Sequence, residues 1–180
     1  MVKRDDRRQA LLAVMADHVL AHGLAAASLR PLAKAAGTSD RMLLYYFADK
    51  DELLAATLAE IGARLAVLLE QQVGDAAPQP FAVVLTQMWE AFRAPAYAPY
   101  IRLWLDVAAR AAAGDALFVR VGRGIADAFA AWVAARLDAP AEARAAQASL
   151  VLAAVDGMAM LDAVGHRTDL DAALGALTSP

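Results

Sequence analysis

The chain has 180 residues and a mass of 18.9 kDa, which suits one extended domain or two small domains that share a core. Hydrophobic residues make up 60% of it, but 48 of its residues are alanine, and glycine and proline are sparse. Because alanine is the best helix former, this composition favours an all-α protein. The absence of cysteine from the sequence excludes disulfides, thiolate catalysis and zinc–thiolate sites.

A mean hydropathy of +0.41 raises the question of a membrane protein. The longest charge-free run near the C-terminus covers residues 145–155, which is too short to span a bilayer. The basic N-terminus is interrupted by Asp5, Asp6 and Asp17 and is not followed by a cleavage-type segment, so it does not read as a signal peptide. We therefore expect a soluble, cytoplasmic protein.

The net charge of −3 is unevenly distributed. Residues 1–50 carry eight basic and five acidic groups, whereas residues 51–180 carry nine basic and fifteen acidic groups. A positive head on a negative body predicts a polyanionic partner for the first segment. Ordinary scatter explains the charge difference equally well, so the spacing of the residues has to decide.

Breaks in the helical pattern fall at glycine and proline positions. Between them the sequence predicts nine helices, at about 3–22, 29–36, 40–46, 50–73, 80–94, 99–113, 115–137, 140–165 and 169–177. The first helix places Leu12, Met15, Val19 and Leu20 on one stripe, with four cations ahead of it.

The second and third predicted helices are very short. Ser28 is a good N-cap for the second, Gly37 ends it after two turns, and Ser39 caps the third. Leu43 and Phe47, four residues apart, point to one side of the third helix. Two short helices joined by a glycine-containing turn are typical of a helix-turn-helix unit, which must pack on the first helix to be stable.

The other side of the third helix carries polar and aromatic side chains. With Leu43 turned inward, the residues that face outward or flank the buried seam are Asp40, Arg41, Met42, Tyr45 and Tyr46. Arginine binds guanine O6 and N7 in the major groove, and a tyrosine hydroxyl binds phosphate. The alternative is a three-helix subdomain whose tyrosines pack against the fourth helix.

The fourth helix begins with a capping signal. Asp49 is a candidate N-cap, and Glu52 follows three residues later, as in a capping box. The positive end of this helix and Lys50 together suit a phosphate oxygen. Alternatively, Lys50 is one more solvated lysine.

The run from Leu12 to Leu54 resembles the TetR family of bacterial transcriptional regulators. About a dozen positions fit at fixed spacing, in the runs Ser28…Leu32-Ala33-Lys34-Ala35-Ala36-Gly37-Thr38-Ser39 and Leu43…Tyr46-Phe47-Ala48-Asp49-Lys50-Asp51-Glu52-Leu53. The resemblance implies an all-α homodimer with an N-terminal DNA-binding head, here residues 1–48. Residues 49–180 are then a variable core for dimerisation, which usually binds a small effector that releases the protein from its operator.

The resemblance also implies a DNA-binding set, made up of Arg30, Ser39, Asp40, Arg41, Met42, Tyr45, Tyr46 and Lys50. Of these, Arg30, Asp40, Arg41 and Met42 face the major groove, and Tyr45, Tyr46 and Lys50 fall at or beside backbone-contacting positions. The chain departs from the family at Arg41, Met42 and Leu44, where a small residue, Ser or Thr, and tyrosine are usual. The usual hydroxyl contacts at positions 42 and 44 are therefore absent.

Aromatic residues and methionines are concentrated between positions 81 and 132. The pairs Met88/Phe92 and Tyr100/Trp104 have helical spacing, which most often marks residues of the core. Bulky side chains in an alanine-rich bundle also leave apolar pockets between helices, however, and such pockets are common ligand sites. The predicted ligand-binding set is Met88, Trp89, Phe92, Tyr100, Trp104 and Phe118. We expect any effector to be largely apolar or aromatic.

The predicted helix over 140–165 is apolar nearly all round and rich in small residues. This pattern favours a four-helix dimer interface built with the final helix. The predicted interface residues are Leu150, Val151, Ala154, Gly157, Met158, Leu161 and Leu174. A buried core within one protomer is the competing explanation. A dimer sets two recognition helices one or more DNA turns apart and demands a near-palindromic operator.

Catalysis has little support in the sequence. His18 and His22 are four residues apart, but neither a cysteine nor a nearby carboxylate pair completes a metal site, so we predict neither metal nor cofactor. The sequence thus predicts a ligand-responsive DNA-binding repressor and not an enzyme. The alternatives are a helical small-molecule-binding protein or enzyme whose head no longer binds DNA, and a constitutive DNA-binding protein without an effector.

Overall fold

The computed structural model describes residues 2–74, 77–166, 172, 175 and 176. Within these ranges the chain forms eight α-helices, joined by short turns and two single-turn 3-10 helices at Leu24–Ala26 and Pro95–Tyr97. The helices are α1 (Val2–His22), α2 (Leu29–Ala35), α3 (Asp40–Tyr46), α4 (Lys50–Val73), α5 (Phe81–Arg93), α6 (Ala98–Ala112), α7 (Ala116–Ala134) and α8 (Ala141–Ala163). The predicted all-α fold is confirmed.

The bounds of these eight helices agree with the sequence prediction to within three residues. The largest difference is at the end of α7, where the backbone of residues 136–138 pairs with Gln79 in a short parallel bridge instead of continuing the helix. The N–H of Gln79 donates to the carbonyl of Arg136, and the N–H of Asp138 donates to the carbonyl of Gln79, both at 2.8 Å. Most of the predicted ninth helix, 169–177, lies outside the described residues.

The chain divides into two compact units. The first contains residues 2–66 and 102–125, and the second contains the described residues of 67–101 and 126–180. Helices α4, α6 and α7 each contribute residues to both units. The predicted division between residues 48 and 49 stays a prediction.

In the first unit, α1 is fastened to α4 by an arginine. The Arg64 guanidinium donates to the Asp17 carboxylate at 2.6 Å, to Glu60 at 3.0 Å and to the carbonyl of Ala13 at 2.8 Å. The apolar stripe of α1 is buried beneath this network, with Met15 and Val19 fully inaccessible. Because α2 packs against α1, this attachment gives the short second and third helices a fixed base.

In the second unit, α5 packs against α8. Leu85 and Met88 of α5, and Val151 and Val155 of α8, are almost completely buried. The end of α4 is held by side chains from elsewhere in the same unit: the Glu70 carboxylate accepts from the Trp132 indole and from Arg136. These contacts make the second unit a conventional close-packed helical core.

Helix α8 is long and apolar enough to cross a membrane by length and composition, with a stretch whose mean hydropathy is 1.3. Only 22% of that stretch is buried within the chain. A single helix of this kind is weak evidence for a membrane span, since a helix that packs on both sides in a soluble assembly has the same composition.

The turn between α2 and α3 depends on Gly37. Its φ of +60° is left-handed, and the turn closes with two hydrogen bonds, from Gly37 N–H to the Lys34 carbonyl and from Thr38 N–H to the Ala33 carbonyl. This is the Schellman pattern, which satisfies two carbonyls at the end of α2. The glycine therefore sets the direction in which the chain enters α3.

We predict that Gly37→Ala lowers the free energy of unfolding by about 1–2 kcal/mol, because a Cβ is disfavoured at this left-handed φ. Gly62→Ala is the matched control, since Gly62 lies inside α4 and an added Cβ meets nothing within 4 Å. The control should be neutral or stabilising by up to about 1 kcal/mol. Urea denaturation of both variants measures the difference, and equal stabilities would contradict the turn geometry.

Candidate nucleic-acid interface

Helix α3 is attached to the first unit through one face. Leu43 is fully inaccessible and Phe47, just after the helix, is 1% exposed. Leu32 and Ala33 of α2 are buried in the same unit, and α2 packs against α3. Because the helix is only seven residues long, burial of these side chains decides which of its faces is presented to solvent.

The opposite face of α3 is open. Met42 and Tyr45 are 43% and 60% exposed, Asp40 and Arg41 are exposed, and Tyr46 is half-buried. Arg30, from the first turn of α2, is also exposed. The structure thus places these six members of the predicted DNA-binding set at or beside the solvent face of the two short helices, with the tyrosines not sealed against α4.

The start of α3 is capped as predicted. Ser39 is exposed, has an extended backbone, and its hydroxyl accepts a hydrogen bond from the Met42 N–H at 3.2 Å. This contact satisfies one of the free N–H groups at the helix N-terminus. Ser39 therefore has a structural role that is independent of any contact with DNA.

The start of α4 is also capped as its sequence indicates. The Asp49 carboxylate accepts from the N–H groups of Asp51 and Glu52, at 2.9 and 2.8 Å. Glu52 in turn accepts from the Ala48 N–H and forms an ion pair with Arg8 of α1 at 3.2 Å. The exposed Lys50 side chain lies at this capped helix start.

Arginines of α1 contact the end of α3, a feature that helical spacing does not reveal. The Arg4 guanidinium donates to the Tyr45 carbonyl at 3.1 Å and lies 5.1 Å from the centroid of its ring. The Tyr46 ring meets the Tyr45 ring edge-on at 5.1 Å. Arg8 lies over the Phe47 ring at 4.7 Å. The basic N-terminus was the available signal, but its partners are about 40 residues away in the sequence.

The comparisons with known proteins agree with this geometry. The family profile described as "Bacterial regulatory proteins, tetR family" matches residues 15–57, from the middle of α1 to the first turns of α4. Over this segment the chain matches the TetR family. The match supports a DNA-binding transcriptional regulator with a helix-turn-helix, and not an enzyme.

Solved structures share the TetR-like fold. A transcriptional regulator from Rhodococcus sp. Rha1 is 27% identical, with a TM-score of 0.66 over 88% of this chain and 83% of its own. A protein from Rhodococcus sp. assigned as a TetR-family regulator is 20% identical, with a TM-score of 0.69 over 96% and 97%. A protein from Pseudomonas aeruginosa PAO1 assigned as a transcriptional regulator is 20% identical, with a TM-score of 0.59 over 91% and 82%. No curated protein sequence matches the chain significantly.

The predicted ligand-binding set is divided between the two units. Met88, Trp89, Phe92 and Tyr100 belong to the second unit, whereas Trp104 and Phe118 belong to the first. Met88, Trp89 and Phe118 are at most 4% exposed, and the other three are half-buried. The six-residue ligand-binding set therefore stays a prediction.

A shallow depression in the second unit, open to solvent, encloses only about 10 Å³, the room that one water molecule takes. Its lining includes Gln79, Gln87, Met88, Trp132 and Arg136, so Met88 is the one member of the predicted ligand set that contributes to it. Gln87 is one of the polar groups that the sequence offers to orient a ligand, whereas Gln79, in the segment before α5, carries no distinctive local pattern.

An aromatic stack lies beside this depression. The Phe92 ring stacks on Phe129 at 5.7 Å, Phe129 stacks on Trp132 at 6.0 Å, and the Arg136 guanidinium covers Trp132 at 3.5 Å. Stacking on Phe129 gives the half-buried Phe92 ring a packing role within the second unit.

The predicted dimerisation residues lie on two different faces of α8. Val151 and Met158 are buried inside the protomer, on the side of α8 that packs in the second unit. Leu150 is 49% exposed, and Ala154, Gly157 and Leu161 are half-buried. Leu174 lies outside the described residues. Met160 and Val164, 55% and 73% exposed, share the open side with Leu150 and were not in the predicted set.

The two histidines of α1 contact each other. Their ring centroids are 4.4 Å apart, and the His22 Nδ1 atom lies 2.9 Å from the His18 carbonyl. Burial, followed by the charge of His22, lowers the pKa of His18. Among the described residues no group of three or more His, Cys, Asp or Glu side chains is arranged to hold a metal ion.

Proposed function

We propose that this protein is a cytoplasmic homodimeric repressor of the TetR family that binds a near-palindromic operator and is released by a small apolar or aromatic effector. The observation that carries the proposal is the open face of α3, where Arg41, Met42 and Tyr45 are exposed while Leu43 holds the helix on the core. In this proposal residues 1–48 form the reading head, and residues 49–180 bind the effector and dimerise.

The proposed DNA contacts follow from side-chain chemistry. Arg30 and Arg41 supply planar donors for guanine in the major groove, Asp40 supplies an acceptor for cytosine N4, and Met42 supplies an apolar contact for a thymine methyl group. The Tyr45 and Tyr46 hydroxyls and the Lys50 ammonium bind phosphate oxygens. Ser39 supports these contacts by capping α3.

The proposed dimer interface is the open side of α8. Leu150, Ala154, Gly157 and Leu161 follow one another at intervals of three or four residues, so they form one stripe along the helix. The exposed Met160 and Val164 extend this stripe, and small residues along it permit close approach of another helix. A large exposed apolar surface marks an interaction site, and a second copy of the same stripe is its natural partner in a symmetric dimer.

The proposed effector site is in the second unit, at the depression lined by Met88, Gln87 and Trp132. Helix α4 contributes residues 50–66 to the first unit and 67–73 to the second, and Val73 also lines the depression. An effector that binds more tightly to one position of α4 increases the population of dimers with that position. In these dimers the separation of the two reading heads does not fit the operator, so the protein is released.

We predict that operator binding weakens steeply with salt, because lysines and arginines on phosphates release counterions. Lys50→Gln should lower the slope of log K against log salt by about 0.9 per protomer. Arg123→Gln is the control, since it removes one exposed positive charge from α7. Fluorescence anisotropy with a duplex selected from a random pool measures both slopes. Failure to enrich any duplex would overturn the DNA-binding proposal, and an unchanged Lys50→Gln slope would remove Lys50 from the contact set.

We predict that Leu150→Glu converts the dimer to a monomer of 18.9 kDa, because it places a charge in the apolar stripe. Ala145→Glu adds the same charge to an exposed position on a different side of α8 and should leave the dimer intact. Sedimentation equilibrium measures the mass, and an unaffected mass in Leu150→Glu would place the interface elsewhere.

We predict that at least one compound in a panel of small aromatic and aliphatic molecules lowers operator affinity about tenfold or more, the range of ordinary allosteric coupling. Gln87→Met should change the concentration of compound that is needed to lower operator affinity. Glu90→Met, at an exposed position on the same helix, should not change it. Unchanged affinity with every compound would end the switch hypothesis and favour a constitutive DNA-binding protein.

A further inference from the structure

Arg4 makes two different contacts with a single residue of the recognition helix. Its guanidinium donates a hydrogen bond to the Tyr45 carbonyl at 3.1 Å, and the same group lies 5.1 Å from the centroid of the Tyr45 ring. Arg4 is in the first turns of α1, 41 residues away in sequence. These contacts connect the exposed N-terminal part of α1 directly to α3.

The hydrogen bond meets a need at the end of α3. Tyr45 is in the last turn of this helix, where carbonyl groups have no partner within the helix. The C-terminal end of a helix also carries partial negative charge, which a cation stabilises. Arg4 therefore fixes the end of a helix that is too short to hold its own last turn firmly.

The ring contact has a second consequence. At 60% exposure Tyr45 has little packing to restrict its side chain, and an unrestricted ring must be ordered when it binds a partner. Arg4 restricts it on one side, and the edge-on Tyr46 ring at 5.1 Å restricts it on another. These two contacts restrict the directions in which the Tyr45 hydroxyl points before any partner arrives.

We propose that Arg4 is a positioning residue for DNA recognition, which orders the end of α3 and holds the Tyr45 hydroxyl ready for a phosphate oxygen. This inference rests on the proposed operator binding by α3. It assigns to α1 an action on operator affinity that goes through Tyr45, distinct from a phosphate contact made by Arg4 itself.

A double-mutant cycle on the full-length protein separates these roles. Arg4→Lys keeps the positive charge but loses the planar guanidinium, which in the wild type lies over the Tyr45 ring and donates to the Tyr45 carbonyl. Tyr45→Phe keeps the ring and removes the hydroxyl. Operator affinity is measured with the duplex selected from a random pool, for each single variant and for the double variant. Arg7→Lys, the same substitution at an exposed residue of the same helix, is the control.

We expect Arg4→Lys to weaken operator binding by about fivefold or more in the wild-type background and by less than about twofold in Tyr45→Phe, within the range of coupling seen between contacting residues. The salt slope should not change, because the charge is retained. Arg7→Lys should stay within about twofold, the scatter of surface substitutions.

Three results would overturn the inference. Equal losses in both backgrounds would mean that Arg4 acts independently of the Tyr45 hydroxyl, and an affinity within about twofold of wild type would mean that it does not act at all. A loss in both backgrounds that parallels a lower thermal midpoint would make Arg4 merely structural. If no duplex is enriched in the first place, the proposed operator binding fails, and that outcome is distinct from the other three.

Discussion

The reading face of this protein, which is the exposed side of α3, depends on the burial of two side chains, Leu43 and Phe47. They are separated by one helical turn and are almost completely inaccessible. A seven-residue helix has too few internal hydrogen bonds to be stable in water, so α3 exists because this apolar pair is removed from solvent. The same burial turns Arg41, Met42 and Tyr45 outward, so core packing and the exposure of the proposed DNA-contacting side chains are two results of one constraint.

Next to this buried pair, a few residues satisfy the unpaired backbone groups at the ends of the short helices. Ser39 and Asp49 cap the starts of α3 and α4, and Gly37 allows the tight exit from α2. Arg4 and Arg8 then bring α1 against the far end of α3 and the start of α4. Their positive charge occupies the rim of the reading face, where it complements both a helix C-terminus and a polyanion.

The second half of the chain uses its high alanine content differently. In α8 one side, with Val151 and Val155, is buried within the protomer, while the side of Leu150 and Met160 is open. Small alanine and glycine side chains lie between these two sides. A helix with apolar residues all round therefore has one packed face and one open face. This arrangement gives α8 the composition of a membrane span without requiring a membrane.

Local signals in the sequence determined the all-α fold, the bounds of eight helices to within three residues and the caps around α3, because a helix end is built by residues within about four positions of one another. The outward set on α3 was equally readable, since burial of Leu43 fixes the opposite face through helical periodicity. Only the tertiary structure decided that Val151 and Met158 face inward and that Arg4 contacts Tyr45. It also decided where α7 ends, because the backbone that follows this helix pairs with Gln79. Each of these depends on a partner dozens of residues away, and an apolar or charged side chain carries no local mark of which distant neighbour it will meet.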